Sequence, residues 1–278
     1  MNSRRSRAWL KHGVRGLWAL LVLFVMFRWF EHSQVYHPYR QHEGSPAELV
    51  RPFEDIRFQS SDGVELHGWF FPAEAQSPRA RVVFLVCHGN AGNISHRLEL
   101  CRALLETGAG VMLFDYRGYG SSQGRPGEEG TYRDAQAAHA WLRQRGFLGG
   151  HIIVYGESLG GGVASELALR ETVGGVVLQS TFTSIPDIGR ELFPWLPVRW
   201  LSSIRYDTRA KLPRIKAPVL ILHSREDELI RFHHAERNFA AAAEPKILCE
   251  LRGAHNDGLW EQSEFHKAIE QLLRGLPE

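Results

Sequence analysis

Six stretches of this sequence are apolar at almost every position: RVVFLVC (81–87), GVMLFDY (110–116), HIIVYG (151–156), GGVVLQS (174–180), PVLILHS (218–224) and KILCELR (246–252). A strand with one wet face alternates polar and apolar residues, so unbroken runs of this kind predict strands covered on both faces. Between them lie stretches with helical spacing, at about 95–108, 131–146, 159–171, 231–243 and 259–274. Alternation of buried strand and helix predicts an α/β domain: a mostly parallel sheet with helices on both faces and right-handed crossovers. Two earlier β-rich runs, FEDIRF (53–58) and VELHGWFF (64–71), flank Ser60-Ser61-Asp62-Gly63, which predicts an antiparallel hairpin and brings the sheet to eight strands. At 278 residues and 44% hydrophobic, the chain can bury one large core. The folded domain is expected over 53–278.

The N-terminus has a different character. Arg4, Arg5, Arg7, Lys11 and Arg15 place +5 before residue 16 with no acid among them, although the whole chain carries only +2. Positive charge gathered at one end is not a nucleic-acid footprint. It precedes GLWALLVLFVMF, Gly16 to Phe27, an uncharged run. The expectation is a basic cytoplasmic stretch (1–15), a transmembrane signal anchor (16–30) and a polar linker (31–52), which leaves the main domain on the far side of a membrane. Twelve residues at about 1.5 Å each fall short of a hydrocarbon core of about 30 Å, so Arg15 and Arg28 would have to snorkel. A cleaved signal peptide is the rival reading, and the following RWFEHSQVYHP lacks a small-x-small cleavage site.

Within the strand-to-helix series, one corner carries chemistry. VYGESLGGG runs from a predicted strand through Gly156-Glu157-Ser158-Leu159-Gly160 into a predicted helix. A serine with glycine two residues to either side at such a junction has the form of a nucleophile elbow, in which the sharp turn holds Ser158 Oγ outward. The plainer reading is a glycine-rich helix start. The helix N-terminus adds unpaired amides and a favourable dipole for developing negative charge, which makes the Leu159 N–H an oxyanion donor.

A serine hydroxyl needs a base, and the base needs a carboxylate to orient it. Behind PVLILH stands SREDELI, with Asp227 beyond a strand; behind KILCELR stands GAHNDG, with His255 beyond the last strand. The order Ser158, Asp227, His255 suits this architecture. Glu226 and Glu228 are alternative carboxylates, and Asp257 lies near the histidine. The second oxyanion donor is expected in CHGNAGNISHR (87–97), from the Asn90 N–H, although that loop could equally be a tight turn capped by Asn93 or Ser95. His88 and His223, at strand ends, are expected to bind backbone groups, and adjacent His233 and His234 cannot share a helix face as metal ligands do. No metal and no cofactor is expected.

About 37 residues separate Ser180 from Pro218, and the insertion at about 182–210 carries Phe193, Trp195 and Trp200 with Pro194 and Pro197. It either caps a site or packs its aromatics on the sheet. Cys87, Cys101 and Cys249 fall in a strand, a helix and a strand, as small buried hydrophobes would.

Taken together, HGNAGNISHR, DYRGYGSSQGRP, YGESLGGGVA, HSREDELI and GAHND resemble the Bem46-type branch of the α/β-hydrolase superfamily, which includes membrane-anchored ABHD-type serine hydrolases. The resemblance covers about Phe53 to the C-terminus. It implies an α/β-hydrolase fold, Ser158, Asp227 and His255 as triad, Asn90 and Leu159 as oxyanion hole, and Asp115 to Ser122 as a structural loop. The expectation is a membrane-anchored serine hydrolase of carboxylic esters or thioesters with hydrophobic acyl groups, using no cofactor and binding no nucleic acid. The alternatives are a serine peptidase and a non-catalytic, membrane-tethered binding protein. Oligomeric state is left open.

Overall fold

The computed structural model describes residues 3–276, in two units, one ending at His37 and the other beginning at Pro38. The first contains one helix, α1 (Ser3–Val35). The expected transmembrane anchor is not borne out: no helix among the described residues is long and apolar enough to cross a membrane. The physical reason is the shortness of the apolar run. Gly16 to Phe27 is closed by Arg15 and Arg28, and widening the window adds charge instead of apolar length. The basic residues Arg4, Arg5, Arg7 and Lys11 lie outside the described side chains.

In the second unit all eight predicted strands form: β1 (Glu54–Gln59), β2 (Glu65–Phe71), β3 (Val83–Cys87), β4 (Gly110–Asp115), β5 (Ile152–Glu157), β6 (Gly175–Gln179), β7 (Val219–Ser224) and β8 (Lys246–Leu251). They make one sheet in the order β8-β7-β6-β5-β3-β4-β2-β1. β1 pairs antiparallel with β2, and β2 antiparallel with β4; every other pairing is parallel. The order reverses at β3, which lies between β4 and β5. In open α/β sheets the crevice beyond the strand ends at such a reversal is where ligands bind.

Unbroken apolar strands need cover on both sides, and they have it. Phe84, Val86, Val111, Leu113, Ile153, Tyr155, Val177 and Leu220 form one core with α2 (Leu98–Leu105) and α9 (Ser263–Arg274). The intervening positions Leu85, Met112, Val154, Val176 and Ile221 are also buried, on the opposite face by strand alternation. There α4 (Leu159–Arg170) packs on β5 and β6 and against α3 (Glu128–Gln144), while α8 (His233–Ala241) packs on β7 and β8. Each buried Leu, Ile or Val contributes about 1.5–3 kcal/mol relative to exposure. Cys87 and Cys101 are buried and all three cysteines are free.

The stretch 38–52 is not a linker. Tyr39 N–H donates to Gly92 O at 3.2 Å, and Gly120 N–H to Tyr39 O at 3.0 Å. Asn93 Nδ2 donates to Tyr39 O and Gln41 O, at 3.0 and 2.7 Å, and Arg40 Nη1 to Ser122 O at 2.6 Å. A polar segment with proline and glycine has the composition of a linker, yet the same groups can satisfy loops elsewhere in the domain. Pro38, not Phe53, therefore begins the compact unit.

The insertion forms α5 (Ile185–Leu192), α6 (Val198–Leu201) and α7 (Thr208–Lys211). Pro194 and Pro197 stand between α5 and α6, where neither breaks a ladder. Trp195 and Trp200 are 75% and 91% exposed, so they do not pack on the sheet; Ile188, Val198 and Tyr206 hold the insertion down instead.

Candidate active site

Ser158 lies between β5 and α4 with φ 52° and ψ −113°. A serine in that region stores of order 1–3 kcal/mol of backbone strain. Glycine on both sides makes the turn possible. A Cβ on Gly160 would stand 1.9 Å from Cys87 O, and one on Gly156 2.5 Å from Gly160 O. Hydrogen bonds then fix the corner: Ser158 N–H donates to Gln179 O at 2.9 Å and Thr181 Oγ1 to Ser158 O at 2.6 Å.

Asp227, 4% exposed, sits in the loop after β7 with its two oxygens divided between two tasks. Oδ1 accepts the amides of Leu229 and Ile230, at 3.0 and 2.7 Å. Oδ2 lies 2.7 Å from His255 Nδ1. With Nδ1–H donated to the carboxylate, the His255 lone pair stands on Nε2, where a base needs it.

The neighbouring acids hold backbone. Glu226 accepts Gly253 N–H at 2.9 Å, Glu228 accepts His255 N–H at 3.2 Å, and Asp257 accepts Ala254 N–H at 2.7 Å. Of the four carboxylates considered, Asp227 alone meets the imidazole. Among the described residues no hydrogen bond joins Ser158 Oγ to His255 Nε2; such bonds often tighten only when substrate binds.

Around the serine, the loop after β3 comes close. A Cβ on Gly89 would lie 3.6 Å from Ser158 Cβ, and the next residue is Asn90. Tyr119 Oη donates to Asn90 O at 2.8 Å, which anchors the peptide on the carbonyl side. Leu159 opens α4, so its N–H is one of the unpaired first-turn amides. Asn93 is the cap of the following turn, its Oδ1 accepting Ser95 N–H at 3.0 Å.

His88 Nδ1 contacts Gly89 O at 2.7 Å and His223 Nε2 contacts Ile230 O at 2.6 Å. Both serve backbone, as expected of strand-end histidines, and burial pulls the His88 imidazole down to about 4. His233 and His234 do converge: their rings stack at 4.4 Å and both reach Glu191. The first-turn position of His233 lets its ring fold over its neighbour, which strict helix-face spacing did not anticipate.

A pocket of about 180 Å³ opens beside this assembly, lined by Arg97, Glu157, Gln179, His255 and Trp260 among others. None of its lining residues comes from the insertion. The ion pair in its wall escaped the sequence reading, although both members lie inside quoted motifs: Arg97 Nε donates to Glu157 Oε2 at 2.9 Å and Nη2 to Oε1 at 3.3 Å. Burial pushes the Glu157 carboxyl up, and Arg97 outweighs it, so the group sits below the ordinary carboxylate range. A depressed carboxyl stabilises the fold above its unfolded-state value, and that contribution is lost as pH falls through the folded-state value. In Arg97→Met, burial acts unopposed and raises the group. The variant is therefore expected to melt lower than the parent at pH 7, with the gap narrowing below about pH 4.5. Melting curves from pH 3 to 8 test this, and a gap that widens in acid contradicts it.

Sheet order, elbow and loop placement define an α/β hydrolase. The comparisons agree: residues 82–203 match the family model described as alpha/beta hydrolase fold. The chain is 39% identical over 236 residues to an uncharacterized protein of Mycobacterium tuberculosis, covering 84% of this chain and 83% of that one. It is 35% identical over 236 residues to the alpha/beta hydrolase domain-containing protein WAV2 of Arabidopsis thaliana, covering 77% and 75%. To protein bem46 of Schizosaccharomyces pombe it is 33% identical over 199 residues, covering 69% and 66%. In structure it resembles the Pyrococcus furiosus esterase Pf2001, with a TM-score of 0.71 at 21% identity over 86% of this chain and 99% of that one. The chain belongs to the α/β-hydrolase family, in the Bem46 and ABHD-type branch.

Proposed function

We propose that this protein hydrolyses carboxylic esters or thioesters through an acyl-enzyme. Ser158 Oγ attacks the carbonyl carbon as His255 Nε2 takes its proton, and Asp227 holds the imidazole in the required tautomer. The N–H groups of Asn90 and Leu159 receive the negative oxygen of the tetrahedral intermediate. His255 then returns the proton to the leaving alcohol or thiol, and a water activated by the same nitrogen releases the acid.

The observation that carries this reading is the 2.7 Å contact between His255 Nδ1 and Asp227 Oδ2, on a sheet whose elbow holds Ser158 at positive φ. An ester-hydrolysing structural neighbour adds support. The preference for hydrophobic acyl groups is proposed from the apolar character of the insertion, whose Trp195 and Trp200 are exposed; the pocket itself is small and polar and is lined by none of its residues.

A fluorophosphonate probe phosphonylates an activated serine, so the protein is expected to label stoichiometrically, and His255→Ala to label at less than about 1% of that rate. Equal labelling of the variant would refute the triad. A panel of p-nitrophenyl esters from acetate to dodecanoate reads the acyl preference. A rise in kcat/KM with chain length supports hydrophobic substrates, and a maximum at acetate removes them.

A further inference from the structure

A second convergence of ionisable side chains lies outside the candidate active site. Asp115, at the end of β4, is completely buried. Its Oδ1 accepts Ile94 N–H at 3.0 Å, while Oδ2 faces two imidazoles, His42 Nε2 at 3.2 Å and His67 Nδ1 at 3.9 Å. One ligand atom from each of the three residues lies within 4.8 Å of the others. His42 comes from the segment that straps the domain, and His67 from β2.

The orientation of His67 is the informative part. Its Nε2 lies 3.2 Å from both oxygens of Asp55, which places the ring proton there. The opposite nitrogen, Nδ1, is buried without a hydrogen-bond partner. In the neutral ring its lone pair therefore points at the Asp115 carboxylate, an arrangement that positive charge relieves, either as a proton on the ring, which the two carboxylates favour, or as a metal ion between the two atoms. At 3.9 Å, a proton is too short a bridge, because hydrogen bonds to nitrogen close at about 2.7–3.2 Å. A metal ion with bonds of about 2.0–2.2 Å to nitrogen and oxygen spans that distance, and tetrahedral ligands on such an ion stand about 3.3 Å apart, near the His42–Asp115 separation.

The surroundings match a built site. A metal-binding histidine ordinarily donates its other nitrogen to a carboxylate, as His67 does to Asp55, and a ligating carboxylate is itself held, as Asp115 is by Ile94. Gly120 lies against the same atoms: a Cβ there would stand 2.0 Å from Asp115 Oδ2 and 2.7 Å from His42 Nε2. The His42 side chain is 20% exposed, so the site is reached from solvent on that side. His88 Nε2 faces the other oxygen at 3.7 Å and lies outside the triad of ligands.

The other such cluster among the described residues, Glu191 with His233 and His234, fails on tautomer. His234 Nδ1 accepts Thr183 N–H at 3.1 Å, so its proton sits on Nε2, the atom that would have to ligate.

We propose that His42, His67 and Asp115 bind one divalent transition-metal ion; two imidazoles and a carboxylate are a donor set that zinc accepts, and zinc is the ion used to test the site. The ion ties the segment at residues 38–43 to β2 and β4 and, through Ile94, braces the loop that carries Asn90. Its role is structural: it touches no reacting atom and bears on the ester chemistry only through the position of that loop.

Untagged full-length protein, stripped with EDTA and given zinc, is expected to retain one equivalent after desalting, by elemental analysis. Saturation should raise the melting temperature by about 5 °C when free zinc is ~100 times Kd, and magnesium and calcium should not. His42→Ala, at the exposed rim, is expected to melt as the stripped parent does and to bind zinc about 100-fold more weakly; Glu191→Gln should bind normally. Failure of the parent to retain zinc overturns the proposal, as does unchanged binding in His42→Ala or loss of binding in Glu191→Gln. So does stabilisation of the stripped protein by acid alone with no response to zinc, which would mean that a protonated imidazole neutralises Asp115.

Discussion

Alanine at position 158 is expected to lower kcat for a p-nitrophenyl ester by about 10⁶, the loss typical of removing a serine nucleophile that works as a unit with its base. The fold should survive. Ser158 owes its φ of 52° to the glycines at 156 and 160 and to the bonds from its backbone to Gln179 and Thr181. None of these uses Oγ, so the strain belongs to the position and persists in the variant, which should unfold within about 2 °C of the parent. Turnover and melting curves on the same preparation separate the outcomes. Activity above about 1% of the parent would mean another group attacks the ester; a collapsed melting curve would mean that the hydroxyl supports the fold.

The largest stability effect is expected at Arg117, in the loop after β4. Its side chain is nearly enclosed and carries two carboxylates: Nη2 donates to Asp134 Oδ1 at 2.7 Å, Nη1 to Asp62 Oδ2 at 2.8 Å, and the backbone N–H to Asp134 Oδ2 at 2.8 Å. Asp134 is completely buried, and burial lifts its carboxyl above the usual range even beside this guanidinium. Arg117 draws partly exposed Asp62 below that range.

Arg117→Met keeps the length of the side chain but leaves Asp134 without a countercharge, a change that typically costs about 3–5 kcal/mol. Urea unfolding at pH 7 measures it, and a loss below about 1 kcal/mol contradicts the argument. Adding Asp134→Leu should recover much of the loss, because replacing both partners of a buried pair by apolar groups is often close to neutral.

What could be read in the chain, and what could not, follows from the range of the signals. The strands announce themselves locally: RVVFLVC or PVLILHS can be satisfied only where both faces are covered. The elbow is equally local, since Gly156 and Gly160 are demanded by atoms a few residues away or on the adjoining strand. The order Ser158, Asp227, His255 and the meeting of the last two were legible because strand ends place loops on one edge of the sheet.

Other features depend on partners that no window contains. His42 stands in a stretch read as a linker, and nothing near it in sequence indicates Asp115; Asn93 was legible as a turn cap, but not its bonds to Tyr39 and Gln41. Arg97 and Glu157 stood inside recognised motifs, but their pairing across the pocket needs the folded sheet. The N-terminal run failed for the opposite reason: its local apolarity was evident, and its length was insufficient.

The strap has a further consequence, for the order in which the domain can be made. Residues 39–41 leave the ribosome before the carbonyls, amides and side chains at Gly92, Asn93, Gly120 and Ser122 that they bind. The bonds to Gly92 and Asn93 become possible first and those to Gly120 and Ser122 later, so the part of the domain synthesised first cannot be fully fastened until translation has passed Ser122.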